Sequence, residues 1–258
     1  MKIEFIGNSH LGTIAPAITT YQREIDHDVE YYISRTYGSV PLGVVGDSAG
    51  AVLPSIKLES EARFGHVADL RQADVLALVG LRFSAVQMVD LWKHYHPVGA
   101  QGSYASPTVG PSIWDAYVDA AFDDTEAVRI IKALPASQRT RVVLIPQPAP
   151  AAWVAEVGDP RFRLYHRLVK TGDWDRVRTD YQRQLTRLSE FDVEVYEQPQ
   201  STITDQGFTR SELAMGNPAD TSESSFYTRG DFYHMNKEFS QRLVPDFFKW
   251  IESTIKDG

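Results

Sequence analysis

Two short, uninterrupted aliphatic runs constrain the fold of this chain more than any other feature of its sequence. They cover residues 74–80 (DVLALVG) and residues 141–146 (RVVLIP). A strand that alternates polar and apolar residues exposes one face to water, whereas an unbroken aliphatic strand is covered on both faces. Such strands are typical of parallel sheets, in which helices connect successive strands and pack on both sides. The two runs therefore predict an α/β protein.

Further strand-like and helix-like segments alternate along the rest of the chain. The pattern predicts strands at 2–6, 29–34, 74–80, 141–146 and 192–196, a hairpin at 40–58, and helices near 14–25, 84–94, 113–134, 175–190 and 235–255, with irregular stretches at 95–112 and 199–230. Pro16 is expected in the first turn of its helix, where a missing N–H costs nothing. Because neither a repeat nor a linker divides the sequence, we expect one domain over residues 1–258 with helices on both faces of its sheet.

Composition and charge exclude several classes of function. The chain has no cysteine, which rules out disulfides, a thiol nucleophile and cysteine metal ligands. Its formal net charge of −8 provides no basic field for nucleic acid or an anionic membrane. The first residues lack a signal-peptide pattern, and no apolar run approaches the roughly 18 residues that span a bilayer. Taking Met1 as the native start, we expect a cytoplasmic protein with neither a nucleic-acid nor a membrane partner.

A serine that follows the first predicted strand is the candidate nucleophile. Ser9 lies at the carboxyl edge of the predicted sheet, where open α/β sheets bind their ligands. A serine hydroxyl needs a base to remove its proton, and His234 is a candidate base with Asp231 three residues before it. The carboxylate can accept from imidazole Nδ1–H and leave Nε2 facing the serine, at about 2.6–3.2 Å. The other interpretation of Asp231 is an N-cap of the terminal helix.

Two short blocks, FIGNSH at 5–10 and DFYHMN at 231–236, resemble the SGNH/GDSL hydrolase superfamily. Members carry a G-D-S-L-type nucleophile block near the N-terminus and a D-x-x-H block near the C-terminus. The resemblance implies a three-layer α/β/α fold with a flavodoxin-like sheet. It also implies that Ser9 is the nucleophile, His234 the general base and Asp231 its orienting partner. Asn8 stands where the family usually has aspartate.

The sequence departs from this family at the oxyanion hole. Members donate to the oxyanion from a glycine N–H and from the asparagine of a G-x-N-D block after the third strand. The matching segment here is Gly80-Leu81-Arg82-Phe83, in which arginine replaces the asparagine. Arg82 can donate to the oxyanion, bind an anionic substrate group or form a surface ion pair. The glycine is Gly38 or Gly46, and His10 either contacts substrate or packs in the interior. Candidate oxyanion and substrate contacts are therefore Gly46, Gly80, Arg82 and His10.

Ser48 matches a different hydrolase motif. The segment 46–50 (GDSAG) fits the G-x-S-x-G nucleophile elbow of α/β-hydrolases. In that fold the elbow follows several strands and leads into a helix, whereas here 45 residues precede it and a strand containing Pro54 follows. A hairpin turn is therefore the better interpretation of this segment.

These residues predict an enzyme that hydrolyses an acyl ester, with an acetyl ester of a carbohydrate as the preferred substrate. Two alternatives stay open, namely acyl transfer from a thioester donor and non-catalytic carbohydrate binding on a hydrolase scaffold. No cofactor is expected. A metal site at His94 and His96 is disfavoured because residues two apart do not share a helix face.

Overall fold

The computed structural model describes residues 1–33, 42–46, 52–58, 67–69, 73–134, 140–216 and 230–256. Its strands are β1 (Lys2–Gly7), β2 (Asp28–Ile33), β3 (Leu42–Gly46), β4 (Val52–Leu58), β5 (Val67–Asp69), β6 (Val75–Gly80), β7 (His96–Pro97), β8 (Thr108–Val109), β9 (Arg141–Pro146) and β10 (Val193–Val195). Its α-helices are α1 (Ser9–Tyr21), α2 (Ala85–His94), α3 (Pro111–Asp123), α4 (Glu126–Ala133), α5 (Arg163–Thr171), α6 (Trp174–Arg187) and α7 (Lys237–Lys256).

Five strands form a parallel central sheet in the order β10-β9-β6-β1-β2. The chain adds β2 on one side of β1 and then returns to add β6 on the other side. This is the flavodoxin-like order, and it creates a crevice where the direction of strand addition reverses. The helices form two layers, with α1 against α7 in one and α2 against α5 and α6 in the other. The α/β/α fold predicted from the sequence is confirmed.

The two aliphatic runs occupy the positions that their composition predicts. All six residues of β6 are buried, and β6 pairs with β1 on one side and β9 on the other. The four middle residues of β9 are buried as well. On the face of the sheet that α7 covers, the ring of Phe5 in β1 lies 5.6 Å from that of Phe247 in α7, in an edge-on contact. Among the helices described, none is long and apolar enough to cross a membrane.

The first helix begins five residues earlier than the sequence pattern indicates. Asn8 caps α1, since its side-chain oxygen accepts a hydrogen bond from the backbone N–H of His10 at 3.1 Å. The helix therefore starts at Ser9, and Pro16 lies in its interior instead of its first turn. Apolar periodicity alone could not locate this start, because the polar cap and not a buried side chain defines it.

Other predicted elements differ from the structure in detail. The helical stretch 113–134 is divided into α3 and α4, because the Thr125 side chain accepts from the backbone N–H of Val128 at 3.3 Å and caps a new helix. The irregular stretch 95–112 contains the short parallel pair β7 and β8. The helix α5 was not predicted from the sequence. The predicted hairpin is confirmed by the antiparallel pairing of β3 and β4, which form a separate sheet with β5.

Replacement of Leu78 by alanine tests whether the buried centre of β6 supports the fold. Leu78 is fully buried, so Leu78→Ala should lower the free energy of unfolding by about 2–5 kcal/mol. Ile113→Ala is the control, because that side chain is 63% exposed and its truncation should cost less than about 0.5 kcal/mol. Urea unfolding monitored by circular dichroism measures both, and equal losses would contradict the assigned core.

Candidate active site

Ser9 is the first residue of α1 and lies at the crevice beside β1 and β6. A Cβ atom on Gly7 would come within 2.6 Å of Leu11 Cβ and 2.7 Å of the Val79 carbonyl oxygen. The chain can therefore pass directly from β1 into α1 beside β6 because residue 7 has no side chain. This tight passage leaves Ser9 exposed at the carboxyl edge of the sheet.

The structure brings Ser9, His234 and Asp231 together in one hydrogen-bonded chain. His234 Nε2 lies 2.8 Å from Ser9 Oγ, within the range predicted from the sequence. On the other side of the ring, His234 Nδ1 lies 2.9 Å from Asp231 Oδ2 and 3.1 Å from Oδ1. The predicted contact between the two ends of the chain is confirmed.

Asp231 does not cap the terminal helix. That position belongs to Asn236, whose side-chain oxygen accepts from the backbone N–H of Phe239 at 3.1 Å. The Asp231 carboxylate instead accepts from the backbone N–H of His234 at 3.0 Å, in addition to the imidazole. Both carboxylate oxygens of Asp231 therefore bind His234.

Backbone hydrogen bonds fix the segment that carries these two residues. The N–H of Gly216 donates to the carbonyl of Asp231 at 2.8 Å, and the N–H of Met215 donates to that of His234 at 2.9 Å. Between them, the N–H of Ala151 donates to the Phe232 carbonyl at 2.8 Å. Because these partners come from two other loops, the imidazole is held in place before any ligand arrives.

The electrostatic surroundings keep Asp231 ionised. Burial raises the pKa of this carboxyl, but the hydrogen bonds from the His234 ring and backbone outweigh burial and hold the pKa below its usual range. An ionised carboxylate accepts the proton on Nδ1, and the lone pair of Nε2 then faces the hydroxyl of Ser9. This is the tautomer that a general base requires.

His10 packs behind the site instead of lining it. It is 3% exposed, and its ring stacks on His234 with centroids 4.8 Å apart. Burial lowers the pKa of His10 to about 3, with a further contribution from His234 that Asp231 opposes. Its Nδ1 atom has no hydrogen-bond partner among the described residues. Of the two interpretations considered for His10, its burial fits packing.

The turn after β6 has an unusual backbone beside the nucleophile. Gly80, Leu81 and Arg82 have φ angles of 73°, 48° and 63°. A Cβ atom on Gly80 would lie 2.8 Å from Asn8 Oδ1 and 3.2 Å from the His10 ring, so this position requires glycine for space as well as for φ. Leucine and arginine rarely adopt positive φ, and such strain concentrates at functional sites.

The other candidate oxyanion contacts are Arg82 and a glycine, either Gly38 or Gly46. Arg82 is 59% exposed at its side chain, and its Nη1 lies 3.8 Å from Glu126 Oε1. The surface ion pair is therefore present. Gly46 ends β3 and pairs with Val52 of β4, whereas Gly38 and Ser48 lie outside the described residues. Their roles stay predictions.

Two pockets flank the segment from residue 230 to residue 237. The first, which we call the aromatic pocket, has a volume of about 560 Å³. It is lined by Val86, Asp90, Lys93, Arg161, Phe162, Tyr165 and residues 230–234. The second, the α1–α7 groove, lies between the first and last helices and has a volume of about 760 Å³. Neither pocket is predicted from the sequence, although the rings of Phe232 and Tyr233 between the two catalytic candidates are a signal for the first.

In the part of the chain that the structure describes, no group of three or more His, Asp or Glu residues could hold a metal ion. His94 is exposed, whereas His96 is buried and its ring nitrogens contact Ser106 and Thr108. Comparison of the chain with models of known protein families and with curated proteins finds no match. Function is therefore inferred from the residues of the site and their geometry.

The buried His10 should make stability sensitive to acid. Its pKa is about 3 in the folded protein and 6.5 when exposed, so below pH 6.5 the unfolded chain binds a proton that the folded protein does not. Stability is therefore lost as the pH falls from 6.5 towards 3. Between pH 7.5 and pH 5.0, the parent should lose about 2 kcal/mol more unfolding free energy than His10→Gln. Equal losses in urea titrations of the two proteins would show that His10 is not held neutral.

Proposed function

We propose that this protein is a serine ester hydrolase in which Ser9, His234 and Asp231 form the catalytic triad. The observation that carries the proposal is the 2.8 Å contact between His234 Nε2 and Ser9 Oγ, with Asp231 on the opposite ring nitrogen. A nucleophile, a base and an orienting acid in this order are the arrangement that activates a serine. The resemblance of the blocks at 5–10 and 231–236 to SGNH hydrolases supports the same chemistry.

The reaction follows from the position of each group. Ser9 Oγ attacks the ester carbonyl carbon while His234 Nε2 takes the hydroxyl proton, and the Asp231 carboxylate stabilises the imidazolium. The carbon–oxygen bond to the alcohol then breaks, and His234 returns the proton to the leaving oxygen. Water attacks the acyl-enzyme, His234 takes its proton, and the acid and the free serine are released.

The start of α1 supplies part of the oxyanion stabilisation. The N–H of Ser9 belongs to the first turn, whose donors have no acceptor within the helix. The positive end of the helix dipole favours negative charge at the same place. Arg82 stays a candidate for a further donor, because its 3.8 Å contact with Glu126 is too long for a hydrogen bond and leaves guanidinium N–H groups for a ligand.

The aromatic pocket fits a carbohydrate as the alcohol part of the ester. The partly exposed rings of Phe232 and Tyr233 offer apolar faces, and the polar groups of Asp90 and Lys93 line the same pocket. Apolar walls with a few placed polar groups are typical of small-molecule sites. His234 also lines this pocket, so the leaving oxygen of a bound sugar would be beside the group that protonates it.

Ser9→Ala should abolish turnover of p-nitrophenyl acetate, with a loss in kcat of roughly 10⁵–10⁶ because the proposed acyl-enzyme forms on Ser9 Oγ. Ser253→Ala, at an exposed position on α7, is the matched control and should retain full activity. A fluorophosphonate probe should label the parent and the control but not Ser9→Ala. Undiminished turnover in Ser9→Ala would remove Ser9 from the mechanism. An unlabelled, inactive parent that still binds sugars would instead favour the non-catalytic alternative.

Asp231→Asn should lower kcat by about 10⁴, because an amide donates to Nδ1 and leaves the proton on Nε2, where the base must be free. The folded fraction and the unfolding midpoint should be measured in parallel by circular dichroism. If activity falls only in proportion to the loss of folded protein, Asp231 supports the loop and does not orient the base.

Adding sugar acceptors to the parent separates hydrolysis from acyl transfer, since transfer consumes the ester without releasing an equal amount of acid.

A further inference from the structure

The α1–α7 groove is an apolar site that the proposed chemistry does not yet use. Its lining includes Pro16, Ala17, Tyr21, Met215, Met235 and Pro245, and its surface is mostly apolar. Met215 is 45% exposed. Methionine side chains are unbranched and adapt to apolar ligands of varied shape.

Three of the hydroxyl groups along this groove already have partners. The hydroxyl of Ser240 donates to the Thr13 carbonyl at 3.1 Å, and that of Thr20 donates to the Pro16 carbonyl at 2.9 Å. The Thr13 hydroxyl donates to the His10 carbonyl at 2.7 Å. An apolar ligand therefore leaves these three hydroxyls satisfied, while the exposed side chains of Glu24, Lys237 and Gln241, which also line the groove, can stay in contact with water.

The groove adjoins the proposed catalytic residues along the chain, although Ser9, Asp231 and His234 do not themselves line it. Ser9, Gly12, Thr13 and Pro16 follow the spacing of one helix face, and the last three line the groove. Met235, which also lines it, directly follows His234 in the chain. At 1.5 Å per residue, the path along α1 from Ser9 to Tyr21 measures about 18 Å. A linear chain attached to Ser9 could follow this face.

The two pockets lie against successive parts of one segment. The aromatic pocket contacts residues 230–234, and the groove contacts residues 235–237. An ester whose carbonyl carbon is at Ser9 has two substituents, the acyl chain and the alcohol, and each pocket can take one of them. The leaving alcohol must be on the side of His234 that donates the proton. The acyl substituent is then left for the groove.

We infer that the α1–α7 groove binds the acyl chain of the substrate, and that this chain is a linear fatty acyl group and not acetyl. The inference rests on the proposed function, because the groove is assigned by its position relative to Ser9. It differs from the acetyl group expected from the sequence, where no pattern indicated an apolar site beside the nucleophile.

The test compares p-nitrophenyl acetate with p-nitrophenyl octanoate. The parent should show a kcat/KM at least about tenfold higher for octanoate, because each methylene removed from water favours binding. Ala17→Trp places a large ring in the groove and should lower the ratio of octanoate to acetate kcat/KM about tenfold. Thr19→Trp is the matched control, since Thr19 is exposed on the same helix outside the groove, and it should leave the ratio unchanged.

Binding of dodecanoate to Ser9→Ala, measured by calorimetry, separates the inference from the proposed function. If dodecanoate binds and Ala17→Trp weakens the binding tenfold, the groove is supported as the acyl site. If the parent in that case hydrolyses no ester, the hydrolase proposal alone is overturned. Turnover of acetate with no octanoate preference and no dodecanoate binding would overturn the fatty acyl inference alone. A dimer in sedimentation experiments that Ala17→Trp dissociates, without dodecanoate binding, would assign the groove to a second copy of the chain and also overturn it.

Discussion

Close packing around two glycines is the constraint on which the site depends. Gly7 allows α1 to leave β1 against the Val79 carbonyl, and Gly80 allows the turn after β6 to approach Asn8 and His10. A side chain at either position would push the helix start away from the sheet edge. This approach determines the exposure of Ser9, the burial of His10 and the contact with His234. The dipeptide Gly7-Asn8 therefore determines where the nucleophile lies.

The two groups that flank His234, Asp231 and His10, differ in charge. Asp231 is held ionised by the hydrogen bonds that it accepts, whereas burial holds His10 neutral. In the proposed reaction His234 becomes a cation between these two. The carboxylate on one side stabilises that charge, and a neutral ring on the other adds no repulsion across the 4.8 Å stack. The same burial that prevents His10 from touching substrate therefore suits it to a place beside a transient imidazolium.

Sequence reasoning located the central strands and the contact between Ser9 and His234, because aliphatic runs and a D-x-x-H block are local patterns. It misplaced the start of α1, since Asn8 defines that start through a side-chain cap and not through apolar periodicity. The positive φ angles of Leu81 and Arg82 contradict the preference of both residue types and follow from tertiary packing alone. Both pockets escaped prediction for the same reason, since each is assembled from segments that are far apart in the chain.

The proposed nucleophile and its base are separated by 225 positions in the chain. During synthesis, Ser9 leaves the ribosome long before residue 234 is made, and an alcohol without a base is inert towards esters. In the proposed mechanism, reactivity arises only once the segment that carries His234 has docked onto the loops that hold it. A chain cut before residue 234 would lose the proposed base together with α7, whose Phe247 and Phe248 are buried against the sheet. Reaction with an active-site label would then report that the segment carrying His234 has docked.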